Sequence, residues 1–365
     1  MARVGIVTKW FNRGQAFVSR YVRDALEARG HETFILARPT KDKGPMAAHV
    51  DRTGVWDQPG VTEASDWEVP YEEYVRWIEE NSIEVCHWDN CYQHTEIARL
   101  RASGVKTVGR FVWEMFGTEE AEPAKAAYDV LYSMTRCEQR RYAELGIESP
   151  YVQWGLHKEL LEVPVERADD GLVRFYIPGA LLGPRKPHKE VVEAFRAAKG
   201  DNLRLIFKAQ LERRMNYLEK AAEQDSRIEL VIDDMPTDEH LQLFASCDVC
   251  LGPSRWEGLG LFLYEAAAFG MPQITNDSPP MNEVVTERNG ILVPDVQDDV
   301  APSGIPSMKP DVPALTAAIE RLADPAERAR LGEGALATKQ ELSWERTIAD
   351  YDELIQLALA AEVGA

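Results

Sequence analysis

The chain is short of positive charge. Of its 365 residues, 41 are Lys or Arg against 61 Asp or Glu, a formal net charge of −20. That balance argues against nucleic-acid binding, which needs a basic face. It also disfavours broad attraction to anionic lipid, while leaving peripheral membrane contact through a local basic patch open. No stretch reaches the roughly 18 apolar residues of a membrane-spanning helix. The start, MARVGIVTKW, lacks the charged region, long apolar run and cleavage site of a signal peptide, and residues 4–8 read as a buried strand instead. Cysteine is scarce. Cys86, Cys91, Cys137, Cys247 and Cys250 make an odd number, which suggests reduced thiols and a cytoplasmic setting. Cys247-x-x-Cys250 has no companion pair at zinc-site spacing, so two buried thiols are expected there. The first strand is not followed by Gly-x-Gly-x-x-Gly, which a nicotinamide-dependent oxidoreductase requires. Neither a convincing Asp-x-Asp at a strand end nor an obvious Ser–His or Cys–His set is present. Neither a metal nor a cofactor is therefore expected.

What is present is alternation. In the first half, strands are expected at 4–8, 33–37, 83–87, 107–111, 129–133 and 151–153, and helices at 17–29, 71–81 and 94–102. Gly30 stands where a helix C-cap glycine belongs. The acidic, Pro-containing run 163–171 reads as a linker. The pattern then restarts, with strands at 173–177, 203–208, 228–232, 249–252, 273–275 and 290–293. Helices are expected at 188–198, 212–224, 238–245, 261–269, 312–322, 325–339 and 344–360, and the Pro- and Ser-rich stretch 299–310 reads as a loop. Such alternation predicts an α/β fold of two doubly wound, Rossmann-like domains in tandem. Ligands of open parallel sheets bind beyond the C-terminal strand ends, so two facing domains would hold one in a cleft between them.

The strongest constellation runs from Ser254 through Glu257-Gly258-Leu259-Gly260 to Glu265 and Gly270-Met271-Pro272. It follows an apolar strand and opens a helix. Glycines there leave backbone N–H groups uncovered at a helix N-terminus, a seat for phosphate. Carboxylates at Glu257 and Glu265 can accept hydrogen bonds from vicinal hydroxyls, as on a sugar ring and a ribose. A second segment, from the strand at 173–177 into the start of the helix at 188–198, carries Arg185, Lys186 and Lys189. In so acidic a chain this cation cluster suits a diphosphate.

The first segment resembles the signature of retaining glycosyltransferases of GT-B architecture, the large family that includes sucrose synthases and mannosyltransferases. Flanking segments resemble it in order: Gln153-Trp154-Gly155-Leu156-His157, Met281-Asn282-Glu283 through Asn289-Gly290 to Pro294, and Ser343-Trp344. The resemblance spans most of residues 150–355 and is looser over 1–150. It implies that Glu257 contacts the donor sugar and Glu265 the nucleotide ribose, with the amides of Gly258, Leu259 and Gly260 facing sugar and diphosphate. Lys186 falls at the family lysine. Ala180 stands near the place of a family arginine, whose charge Arg185 would supply. Lys208, at a strand end, and Asp233, beside the nucleobase edge, are further donor-side candidates. In the first half, Phe11-Asn12-Arg13-Gly14-Gln15 resembles the family glycine loop, which assigns Gly14 to the donor phosphate. Trp113 stands about where many relatives carry a His. With Glu114 and the strand-end candidate His87, it forms the acceptor-side set.

The resemblance thus implies two facing Rossmann-like domains. Residues 1–165, with a C-terminal crossing helix 344–365, make the acceptor side, and residues 166–343 bind the donor. The expected activity is metal-independent, retaining transfer from a nucleotide-diphosphate sugar to the hydroxyl of a glycan, lipid-linked or small-molecule acceptor. A catalytically silent nucleotide- or glycan-binding homologue and a sugar-nucleotide 2-epimerase are the alternatives.

Overall fold

The structure is a computed structural model that describes residues 1–41, 50–179, 183–210, 215–301 and 303–361. It divides into two compact units, Met1–Trp154 together with the chain from Glu345 onward, and Gly155–Trp344. The division falls at Trp154/Gly155, so the acidic run 163–171 lies inside the second unit.

The first unit is built on the strands β1 (Arg3–Lys9), β2 (Glu32–Arg38), β3 (Val61–Glu63), β4 (Val85–Asp89), β5 (Lys106–Arg110) and β6 (Val130–Leu131). They form one sheet in the order β3-β2-β1-β4-β5-β6, with every pair parallel. The apolar runs at these strands are buried on both faces, as a helix-covered parallel sheet requires: Val4, Ile6, Val7, Val85 and Cys86 are wholly inaccessible. Helices Gly14–Glu27, Tyr71–Asn81 and His94–Ala102 connect the strands. Gly30, at φ +80°, ends the first of them in the left-handed region that favours glycine. Two further helices, Thr118–Ala127 and Arg136–Glu144, occupy sequence not expected to be helical. Residues 151–153 do not form a strand; Tyr151 makes one isolated bridge to Ser133.

In the second unit, β7 (Val173–Pro178), β8 (Leu203–Ala209), β9 (Ile228–Ile232), β10 (Val249–Leu251), β11 (Gln273–Asn276) and β12 (Gly290–Val293) form a parallel sheet in the order β12-β11-β10-β7-β8-β9. Counted from its own first strand, this is the order of the first sheet. One cluster of its core gathers aliphatic and Phe side chains from the strands and from helices that include His188–Ala197 and Val312–Ala323. The helix expected at 212–224 runs from Asn216 to Gln224 with Met215 as its N-cap; residues 212–214 lie outside the described residues, as does Ala180. A further expectation is overturned here. Much of the stretch 299–310 is an antiparallel hairpin, β13 (Asp295–Val300) with β14 (Pro306–Pro310), rather than a loop. β13 exposes nearly every side chain and therefore leaves no buried-strand pattern in the sequence.

All five cysteines are buried, and none forms a disulfide. Among the described residues, no helix is long and apolar enough to cross a membrane.

Candidate active site

Strand order in the second sheet reverses between β7 and β10, which lie side by side. At such a switch point the two outgoing loops part and leave a crevice at the C-terminal strand ends. The loop after β7 carries Arg185 and Lys186 into helix His188–Ala197, and the loop after β10 carries Ser254–Gly260 into helix Leu261–Ala268. Topology thus brings together the two segments that sequence patterns single out separately.

Lys186 Nζ donates to Glu257 Oε1 at 2.6 Å and to Ser254 Oγ at 2.8 Å. It also lies 4.5 Å from the centre of the Phe262 ring. Arg185 Nη1 stands 3.5 Å from the other Glu257 oxygen. The Lys186 and Glu257 side chains are 8% and 5% exposed, whereas Arg185 is 35% exposed. Burial pushes the Glu257 carboxyl up, but Arg185, Lys186 and hydrogen bonds from Lys186 and Ser254 outweigh it and hold it below the usual carboxylate range. Burial, reinforced by Arg185, pulls the Lys186 ammonium below the usual lysine range against the attraction of Glu257. Two cations against one carboxylate leave a positive excess, which suits an anionic ligand group.

Gly260 caps helix Leu261–Ala268 at φ +74°. A Cβ there would sit 2.8 Å from Leu263 Cδ1. The glycine lets the chain enter the helix sharply, and Leu263 N donates back to the Gly260 carbonyl at 2.9 Å, while the amides that open a helix otherwise lack helical partners. Glu265, one turn into that helix, is partly exposed. The surrounding protein pushes its carboxyl up to about 7, opposed by Lys186.

The outer donor-side candidates take other places. Lys208, next to last in β8, is 3% exposed and donates to the carbonyls of Ala209, at 3.0 Å, and Asp233. It thereby ties the ends of β8 and β9 together. Asp233 follows β9 with its side chain exposed, and its N–H donates to Ala209 O at 3.0 Å.

Gly14 lies in the first unit as the opening residue of helix Gly14–Glu27, directly beyond β1. His87 is mid-strand in β4 rather than at a strand end. It is 1% exposed, and its Nε2 is 2.9 Å from Tyr132 Oη. Burial, together with the Arg110 charge, pushes it down to about 3, so it is a neutral core residue. Trp113 and Glu114 form a short turn after β5, and both are 8% exposed.

Two groupings went unnoticed in the sequence. Ser254 stands in the quoted motif, yet its bond to Lys186 spans 68 positions and has no local signal. In the first unit Arg110 is buried between two acids: its Nε is 3.1 Å from Glu138 Oε2 and its Nη1 3.6 Å from Asp89 Oδ1. Burial raises both carboxyls, and Arg110 opposes it. Charged residues at the ends of β4 and β5 hinted at this cluster, but Glu138 sits in a helix that sequence periodicity did not reveal.

Residues 174–333 match the model of the family described as glycosyl transferases group 1. A D-inositol 3-phosphate glycosyltransferase of Acidothermus cellulolyticus is 32% identical over 114 residues, 31% of this chain. The matched segment spans only 22% of that relative's length. The fold is similar to that of sucrose-phosphate synthase from Thermosynechococcus elongatus, with a TM-score of 0.73 at 17% identity, covering 99% of this chain and all of the other. A glycosyltransferase from Rickettsia africae superposes with a TM-score of 0.74 at 12% identity, over 99% of both chains. The E. coli trehalose-6-phosphate protein bound with UDP-2-fluoro glucose does so at 0.68 and 12%, over 98% of this chain and 99% of that one.

Proposed function

We propose that this GT-B chain, whose residues 174–333 match the model of the glycosyl transferases group 1 family, transfers a sugar from a nucleotide-diphosphate donor to an acceptor hydroxyl, retaining the anomeric configuration. The acceptor is a glycan, a lipid-linked molecule or a small molecule. The observation that carries the reading is the buried Lys186–Glu257 pair beside the Gly258–Gly260 turn. In this reading Lys186, Arg185 and the helix N-terminus hold the diphosphate and stabilise charge developing on the leaving oxygen. Glu257 accepts from hydroxyls of the donor sugar and Glu265 from the ribose. The bond from the anomeric carbon to phosphate oxygen breaks, and a bond to the acceptor oxygen forms on the same face. The acceptor proton passes to the leaving phosphate oxygen. No protein nucleophile takes part. Charge neutralisation rests on the two cations, so activity should survive a chelator.

A thermal-shift screen against nucleoside diphosphates and their sugars identifies the donor, since a ligand of the folded state raises stability by mass action. Acceptor trials read by mass spectrometry then follow. Transfer is expected to fall by a factor of roughly 100 or more in Glu257→Gln, the scale of losing one transition-state contact, when assayed below a melting temperature that the lost buried charge pair lowers. Wild-type turnover in that variant removes Glu257 from the chemistry. Donor binding without turnover identifies a silent binder, and epimerised donor an epimerase.

A further inference from the structure

The hairpin β13–β14 has no part in the chemistry above, yet the loop that carries Glu257 is fastened to it. Arg255 lies two residues before Glu257, and its guanidinium is bound away from the site. Its Nε donates to Ser307 Oγ at 2.9 Å, and its Nη2 pairs with Asp298. Its main chain is held on both sides: the N–H donates to Arg185 O at 2.9 Å, and the carbonyl accepts from Met308 N at 3.0 Å. Buried Asn276 adds a brace, donating through Nδ2 to the carbonyls of Ser254 and Met308, each at 3.1 Å. On the far side Lys309 Nζ stands 3.4 Å from Glu190, in the helix that follows Lys186.

We infer that this hairpin is a buttress for the catalytic loops and that Arg255 is the positioning residue that transmits it to Glu257 and, through the Arg185 carbonyl, to Lys186. The inference rests on the donor-site reading of that pair. A two-stranded hairpin is marginal alone, so β13–β14 keeps its form by what it grips. Its inner residues Ala301, Ile305 and Ser307 are nearly inaccessible, whereas Val296 and Val300 face outward at 62% and 55% exposure. The grip falls on the residues that set the Lys186–Glu257 geometry. A misplacement of about 1 Å at such a site can cost on the order of 100-fold in rate.

The test compares Arg255→Ala, Arg255→Lys, Asp298→Ala and the double variant Arg255→Ala/Asp298→Ala in the full chain. Turnover is expected to fall about tenfold or more in Arg255→Ala, with a smaller change in donor KM and partial rescue in Arg255→Lys. The double variant should be no worse than Arg255→Ala, because the two groups act as one unit. Amide hydrogen exchange over residues 254–260 should quicken in Arg255→Ala without any donor. Unchanged turnover and unchanged exchange in Arg255→Ala overturn the inference, as does a lowered melting temperature with full turnover below it. Quickened exchange in a protein whose wild type transfers no sugar upholds the buttress and removes the donor reading alone.

Discussion

Glu265 is the side chain whose protonation most directly links the site to pH. Its carboxyl is held near 7, against an ordinary value of 4.5, chiefly by burial. Between those values the unfolded chain releases the proton while the folded chain keeps it. The native state then binds more protons, so stability falls as pH rises from about 4.5 to about 7 and is level above. Glu265→Gln should flatten that slope relative to wild type, as measured by urea unfolding at several pH values. In the proposed role the ionised carboxylate is the stronger acceptor, taking both ribose hydroxyls through charge-assisted hydrogen bonds. Nucleoside diphosphate affinity should therefore rise with pH through about 7, with proton release visible by calorimetry in buffers of different ionisation enthalpy. A flat profile in wild type separates Glu265 from the nucleotide. The residue type and its place eight after Glu257 are legible in the sequence. The raised pKa is not, because it depends on protein mass packed around the helix from distant segments.

At the scale of elements, the turn Gly258–Gly260 and the helix after it make the sharpest prediction. Gly260→Ala puts a Cβ into a left-handed backbone and 2.8 Å from Leu263. Strain of that kind costs about 1–3 kcal/mol, so the variant should melt several degrees lower and bind nucleotide more weakly. An unchanged melting temperature and affinity would show that the turn relaxes at no cost. Elements with a clear period were legible to the residue: Tyr71–Asn81, His94–Ala102 and Trp344–Ala360 stand as the pattern predicts. Those that escaped have identifiable physics. Helix Thr118–Ala127 contains Pro123, which reads as a breaker. Helix Arg136–Glu144 is mostly polar, with only Cys137, Glu138 and Tyr142 buried. β13 alternates nothing with a core. Periodicity reports burial of a face, and it is silent where burial is slight or the buried residues are polar.

For the whole molecule, the notable feature is that the first unit is discontinuous. Helix Trp344–Ala360 lies at the far end of the sequence yet supplies Ile348, Tyr351, Leu354 and Ile355 to the unit that begins at Met1. Polar ties accompany them: His31 Nε2 to Asp352 Oδ1 at 3.0 Å, Lys106 Nζ to Ala361 O at 2.6 Å, and Gln153 N to Asp350 Oδ2 at 2.9 Å. Each large apolar side chain contributes about 1.5–3 kcal/mol, so their sum rivals the roughly 5–15 kcal/mol of an ordinary domain. Ending the chain after Trp344 should abolish the cooperative unfolding of the first unit while leaving nucleotide binding by Gly155–Trp344. Calorimetry showing both transitions intact would refute this.

The sequence by itself determined which segments become strand or helix where one face is apolar. It also carried the residues of a phosphate seat, because these signals are written among neighbours in the chain. Tertiary structure alone decided that Lys186 meets Glu257 across 71 positions, that Arg255 is tied to a hairpin, that His87 is a core residue, and that the last helix completes the first unit. Those choices follow from strand order and from which side chains find partners once sheets are built. Periodicity leaves strand order open, since the same alternation of strands and helices is compatible with several of them.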